Sequence, residues 1–135
     1  MKGIIICSDD PYFTNHLIEN IVKNIRQKYN INIDKCYIIK DYFDFNRIYK
    51  TLLILGIKGI FKLMQLPKKK IIEVCDSLNL KQNEYNKSEL LNENFEISFI
   101  FNSNKIFKKE LLDKAKYGFL NLHFGPLPFY RGIMP

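Results

Sequence analysis

Apolar and polar positions alternate along this chain in blocks whose period changes from continuous runs to helical spacing and back. GIIIC, residues 3 to 7, is an unbroken apolar run rich in β-branched side chains, which predicts a strand buried on both faces. Ser8-Asp9-Asp10-Pro11 interrupts it; Asp10 is suited to cap a helix and Pro11 to fill its first turn. Phe13, Leu17, Ile21, Val22, Ile25 and Tyr29 then recur every three to five residues, the stripe of a helix of about five turns. His16 falls on the opposite, polar face with Glu19, Lys23 and Arg26, the position of a surface histidine.

The segment Ile31 to Ile39 alternates and then turns apolar, predicting a second strand, and Asp41 is placed to open the next helix. Residues 42 to 76 read as mostly helical, with Gly56, Gly59 and Pro67 as breaks, and residues 79 to 94 are polar with turn signals. ISFIF, residues 97 to 101, predicts another inner strand. Residues 105 to 114 predict a short helix with Ile106, Leu111 and Leu112 on one side. Gly118 ends it, and FLNLH, residues 119 to 123, predicts a last strand. Apolar strands separated by helices imply an α/β fold: a mostly parallel sheet with helices on both faces, one domain over residues 1 to 135. Ligands bind such sheets at the carboxyl ends of the strands. FLNLH places Asn121 and His123 there, and their two-residue spacing puts both on one face of the strand.

Composition narrows this picture without redirecting it. Apolar residues make up 47% of the 135, enough for a core and too many for a disordered chain. The net charge of +7 comes from lysines scattered among Asn and Ile, and the one tight run, Lys68-Lys69-Lys70, reads as a solvated face or a helix start. Neither a membrane nor a nucleic-acid partner is indicated by it. The longest apolar stretch, residues 52 to 64, carries Lys58 and Lys62 and falls short of the roughly 20 residues of a membrane span, so a helix packed on the domain is expected ahead of one lying on a membrane surface. Cys7, Cys36 and Cys75 are odd in number and lack metal-ligand or C-x-x-C spacing, so no metal site and no disulfide framework is expected and a reducing cytoplasm fits best.

The final fifteen residues, NLHFGPLPFYRGIMP, hold three prolines, two glycines, a histidine and an arginine, the composition of a shaped loop. They resemble the signature N-x-H-x-S-L-L-P-x-Y-R-G-x-x-P of the formyltransferases that use 10-formyltetrahydrofolate. Asn121, His123, Leu127, Pro128, Tyr130, Arg131, Gly132 and Pro135 match position by position, while Gly125 and Pro126 replace the usual Ser and Leu. The resemblance implies the Rossmann-like fold of that family and transfer of a formyl group from 10-formyltetrahydrofolate to a primary amine. It makes Asn121 and His123 the catalytic pair: an amide to hydrogen-bond the oxyanion and an imidazole to donate to it or deliver a proton. Residues Gly125 to Gly132 would shape the loop.

The family pairs these two residues with an aspartate a few tens of residues further along, beyond Pro135. The chain is therefore expected to be the N-terminal, C-terminally incomplete part of the catalytic domain, inactive by itself and able to self-associate as a homodimer. CSDDPYF differs from the G-T-P-x-F-type turn of methionyl-tRNA formyltransferases and lacks the glycine-rich turn of glycinamide ribonucleotide transformylases. By elimination, the expected acceptor is a small-molecule amine, a nucleotide-linked amino sugar. The alternatives are methionyl-tRNA as acceptor and a non-catalytic, truncated formyltransferase-like binding domain.

Overall fold

The computed structural model describes residues 1–10, 14–40, 53, 56–59, 61–62, 64–103 and 105–122. The described elements run β1 (Lys2–Ser8), α1 (Thr14–Tyr29), β2 (Asn32–Ile39), α2 (Ile71–Ser77), β3 (Lys81–Glu84), α3 (Lys87–Asn92), β4 (Ile97–Phe101), α4 (Lys109–Leu112) and β5 (Phe119–Leu122). The five strands form one sheet in the order β3-β2-β1-β4-β5, and every pairing is parallel. This is a Rossmann-like α/β fold.

The continuous apolar strands lie at the centre because both of their faces are covered. On one face Ile5, Cys7, Ile33, Cys36, Phe99 and Phe101 pack against Ile18, Val22 and Ile25 of α1 and Ile71, Val74 and Cys75 of α2. On the other, Ile4, Ile6, Tyr37, Ile39 and Ile100 meet Leu90 of α3, Leu111 of α4 and Ala115. Gly3 is dictated by packing: a Cβ there would meet Ile31 Cγ2 at 3.0 Å and Ile33 Cγ1 at 3.2 Å. At Gly118 a Cβ would meet nothing, but φ is 82°, the left-handed turn that redirects the chain into β5. Asn30 and Asn79 take the same left-handed region just past the ends of α1 and α2.

Several expectations need correction. Helix α1 buries Thr14, Asn15, Ile18, Val22 and Ile25, whereas Leu17 and Tyr29 are exposed, so the stripe is rotated from the one the apolar spacing suggests. Arg26 is not purely a surface residue: its Nη1 donates to Leu78 O at 2.7 Å and its Nη2 donates to Ile33 O, joining α1 to the sheet. The polar segment 79 to 94 holds a strand, KQNE, and a helix capped by Asn86, whose Oδ1 accepts from Ser88 N at 2.9 Å. The helix predicted over 105 to 114 is confined to α4, and Ile106 is 94% exposed. Of the three expected breaks, a turn precedes Pro67, Gly56 has φ at 62° at the start of the helical residues 56–59, and Gly59 lies within that helical stretch.

One side-chain cluster lies within the core and another at its margin. Cys7, Cys36 and Cys75, distant in sequence, meet beneath α2; all three are free and buried, with Cys7 Sγ 3.6 Å from Cys36 Sγ. The Cys7 thiol and burial push Cys36 well above the ordinary thiol range, and the Cys36 thiol and burial do the same to Cys75. On the other side, Glu93 accepts from Lys35 Nζ, from Tyr37 Oη at 3.1 Å and from Lys2 Nζ at 3.5 Å, fixing the end of α3 against β1 and β2. The Lys35 ammonium above all holds Glu93 down to about 2, and burial pushes Tyr37 up to about 12.

Candidate active site at the carboxyl edge

The chain leaves β1 for β2 and β3 on one side, then crosses to β4 and β5 on the other. Such a reversal opens a crevice between the carboxyl ends of β1 and β4, where the helices that follow the two strands depart on opposite faces. Asp9 and Asp10 follow β1, and Asn102 follows β4 with φ at 49°. Asp10 Oδ2 accepts from Thr14 Oγ1 at 3.0 Å and from Asn102 Nδ2 at 3.4 Å, so one carboxylate joins the start of α1 to the end of β4. Asn15, fully buried, donates through Nδ2 to Asp9 Oδ1 and to Lys69 O, both at 2.7 Å. Asn15 Oδ1 and the buried Ser8 Oγ have no hydrogen-bond partner among the described residues.

Sequence reading gave Asp10 its place at the start of α1 but found no role for Asp9, Asn15 or Asn102. The available signal was the acidic pair directly after a doubly buried strand. Asn15 could not have been found from the pattern, because a polar residue in the first turn of an amphipathic helix looks solvated until Lys69 closes over it.

Asn121 lies in β5, in register with Ile100 of β4 and exposed. In a parallel pair, residues in register share a face, which puts Asn121 on the α3 and α4 side of the sheet, one residue before the strand's carboxyl end. That location suits a group that must hydrogen-bond a reacting oxygen. His123, Gly125, Pro126, Leu127, Pro128, Tyr130, Arg131 and Gly132 lie outside the described residues. The pairing of Asn121 with His123 therefore stands on the two-residue spacing and the signature resemblance.

On the far side of β1 from Asn121, the ends of β2 and β3 frame a cleft of about 150 Å³ lined by Ile39, Lys40, Glu84, Tyr85 and Lys105. Lys40 Nζ reaches Glu84 Oε2 at 2.6 Å across it. Tyr85, whose hydroxyl is pushed up by burial, packs edge-on to Phe107 at 6.0 Å. Among the described residues no group of three or more His, Cys, Asp or Glu is placed to hold a metal ion. Nor is any helix there long and apolar enough to cross a membrane.

No protein-family model matches the chain. It is similar to methionyl-tRNA formyltransferases: 42% identical over 66 residues to that of Borrelia garinii subsp. bavariensis, a match covering 49% of this chain and 20% of the relative. The enzyme of Borreliella burgdorferi is 42% identical over 64 residues, and that of Borreliella afzelii 38% over 78 residues, covering 58% of this chain and 24% of the relative. The chain thus spans about a fifth to a quarter of the length of the curated relatives it matches. Over about half of its length, then, the chain is similar to formyltransferases.

Proposed function

We propose that this chain carries the N-terminal part of a formyltransferase site that transfers the formyl group of 10-formyltetrahydrofolate to a primary amine, with methionyl-tRNA as the acceptor. The observation that carries the reading is the identity of about 40% to enzymes named methionyl-tRNA formyltransferase. It outweighs the elimination that favoured a nucleotide-linked amino sugar, which rested on the turn after β1 alone. The net charge of +7 is compatible with a tRNA acceptor. Free, buried thiols suit a reducing cytoplasm.

In this reading the amine attacks the formyl carbon and gives up a proton, the carbonyl oxygen takes the negative charge, and as the C=O re-forms the bond to the folate nitrogen breaks and that nitrogen leaves with a proton. The Asn121 amide donates a hydrogen bond to the developing oxyanion, and His123 donates to the same oxygen or supplies the leaving nitrogen's proton. The family signature assigns residues Gly125 to Gly132 to shaping the loop that follows His123.

The test is an assay of the protein carrying this chain, with 10-formyltetrahydrofolate as donor and either methionyl-tRNA or a nucleotide-linked amino sugar as acceptor. Formylation of methionyl-tRNA is expected, with Asn121→Ala lowering the rate by ~10² to 10³. Turnover confined to the amino sugar would restore the other acceptor. Folate binding without turnover on either would support a non-catalytic binding domain.

A further inference from the structure

Strands β1 and β4 share their ladder as far as Cys7 and Phe101 and then part. Past that point a side chain joins them: Asn102 Nδ2 donates to Asp10 Oδ2 at 3.4 Å, across 92 positions of sequence. The same oxygen accepts from Thr14 Oγ1 at 3.0 Å and from Thr14 N at 3.4 Å, so it also caps α1. Capping explains why a carboxylate stands before Thr14. It does not explain a partner at the end of another strand.

Asn102 departs from strand geometry as well. Its φ of 49° is left-handed, a conformation that asparagine tolerates better than most residues and that turns the chain off β4 in a single step. Ser103 tightens the turn, its Oγ accepting from Lys105 N at 3.1 Å. Further on, Phe107 lies 6.0 Å from Phe119 and, edge-on, 6.0 Å from Tyr85. Phe119 precedes Asn121 by two residues in β5, on the same face of the sheet. The chain that leaves β4 therefore comes to rest against the strand that carries Asn121, and the direction in which Asn102 releases it fixes where Phe107 lies.

We propose that Asp10 is a positioning residue of the formyl-transfer site: its carboxylate, through the Asn102 amide, sets the exit from β4 and with it the place of Phe107 against the strand of Asn121. This rests on the function proposed above. Asp10 acts through Asn102 and not on the reacting atoms. A carboxylate suits the task, because a charge-assisted hydrogen bond is stronger than a neutral one and here it stands where the backbone ladder has ended. A shift of about 1 Å in a group that positions substrate is enough to lower a rate about a hundredfold.

Two variants separate the link from the cap. Asn102→Gly keeps the left-handed backbone and deletes the amide, leaving the contacts of Asp10 with Thr14 in place. Asp10→Asn keeps an oxygen for Thr14, asparagine capping as well as aspartate, but removes the charge that Asn102 meets. In the protein carrying this chain, each is expected to lower kcat for formylation of methionyl-tRNA at least about tenfold, with KM within about twofold and the urea midpoint close to the parent's. The exchanged pair, Asp10→Asn with Asn102→Asp, restores one amide and one carboxylate and should recover most of the lost rate. An unaltered kcat in Asn102→Gly overturns the proposal. So does a loss confined to KM, which would make Asp10 a binding group, and so does an exchanged pair no faster than the single variants. NMR reads the link without turnover: in Asn102→Gly the Lys105 amide should exchange at least about tenfold faster and the ring NOE between Phe107 and Phe119 should weaken, while the amides of Ile97 to Phe101 keep the parent's rates. Unchanged exchange and NOE overturn the link whichever acceptor the protein uses. A parent without turnover on any acceptor sinks the proposed function, and the positioning role with it, even where the NMR response is the expected one.

Discussion

Strands β4 and β5 lie side by side, run parallel and have similar apolar content, yet they occupy different worlds. All five residues of ISFIF are buried, while in FLNL only Phe119 is partly covered and Leu120 is 54% exposed. β4 has β1 on one side and β5 on the other, with helices over both faces. β5 has a described neighbour on one side alone, and its Leu120 and Leu122, in register with Phe99 and Phe101, lie on the face that α1 and α2 cover only as far as β4. Burial in a sheet is thus a property of rank in the strand order more than of a strand's own composition. The same strand that is least buried carries Asn121, so the candidate site stands on the least packed part of the sheet.

The sharpest way to break this comparison is to remove the same kind of side chain from each strand. Phe101→Ala deletes a side chain 2% exposed and is expected to cost about 3–5 kcal/mol in urea-induced unfolding. A loss under about 1 kcal/mol would show that β4 is not the centre of the core. Gly3→Val probes the tightest approach in the sheet, where β1 has Ile31, Ile33 and Ile97 around it; a loss of about 1–3 kcal/mol is expected from overpacking.

A smaller effect is expected at the charged margin. The carboxyls of Glu93 and Glu19, each held down to about 2 by lysines hydrogen-bonded to them, titrate below the unfolded value near 4.5. Their contribution is therefore complete above about 4.5 and is lost as pH falls from there toward 2. Glu93→Gln should flatten the acid limb of a stability-versus-pH curve while lowering stability at neutral pH by under about 1 kcal/mol, as for partly exposed pairs. An unchanged acid limb would show that Glu93 is not so paired in solution. The smallest effect belongs to β5: Leu120→Ser should change stability by no more than about 0.5 kcal/mol. A loss comparable to that of Phe101→Ala would mean that Leu120 is covered in solution.

The candidate site was partly legible. Asn121 followed from the two-residue spacing and the matched signature, and the structure places it at the carboxyl edge on the α3 and α4 side. Asp9, Asn15 and Asn102 were not legible, since their roles depend on β1 and β4 being neighbours although 88 residues lie between Ser8, the end of the first, and Ile97, the start of the second. The acceptor was less legible for a different reason. The amino-sugar reading rested on CSDDPYF lacking a G-T-P-x-F-type or glycine-rich turn, whereas similarity spread over about half the chain integrates many weak matches and favours the methionyl-tRNA alternative.

The sequence alone determined the inner strands and the first helix, because a run of β-branched apolar residues or a 3.6-residue period states locally which faces must leave water. It also determined that the strands would be parallel, since buried strands separated by helices have no other economical connection. Only the tertiary structure decided which of those faces find cover. KQNE becomes a strand because β2 offers its free edge, not because of any period in its four polar residues. Leu17, Tyr29 and Ile106 stay exposed, and so do Leu53, Ile57, Phe61, Met64 and Leu66, although their apolar character equals that of buried neighbours. Hydrophobicity states a demand for burial; the order of the strands and the lengths of the helices fix how much surface exists to meet it.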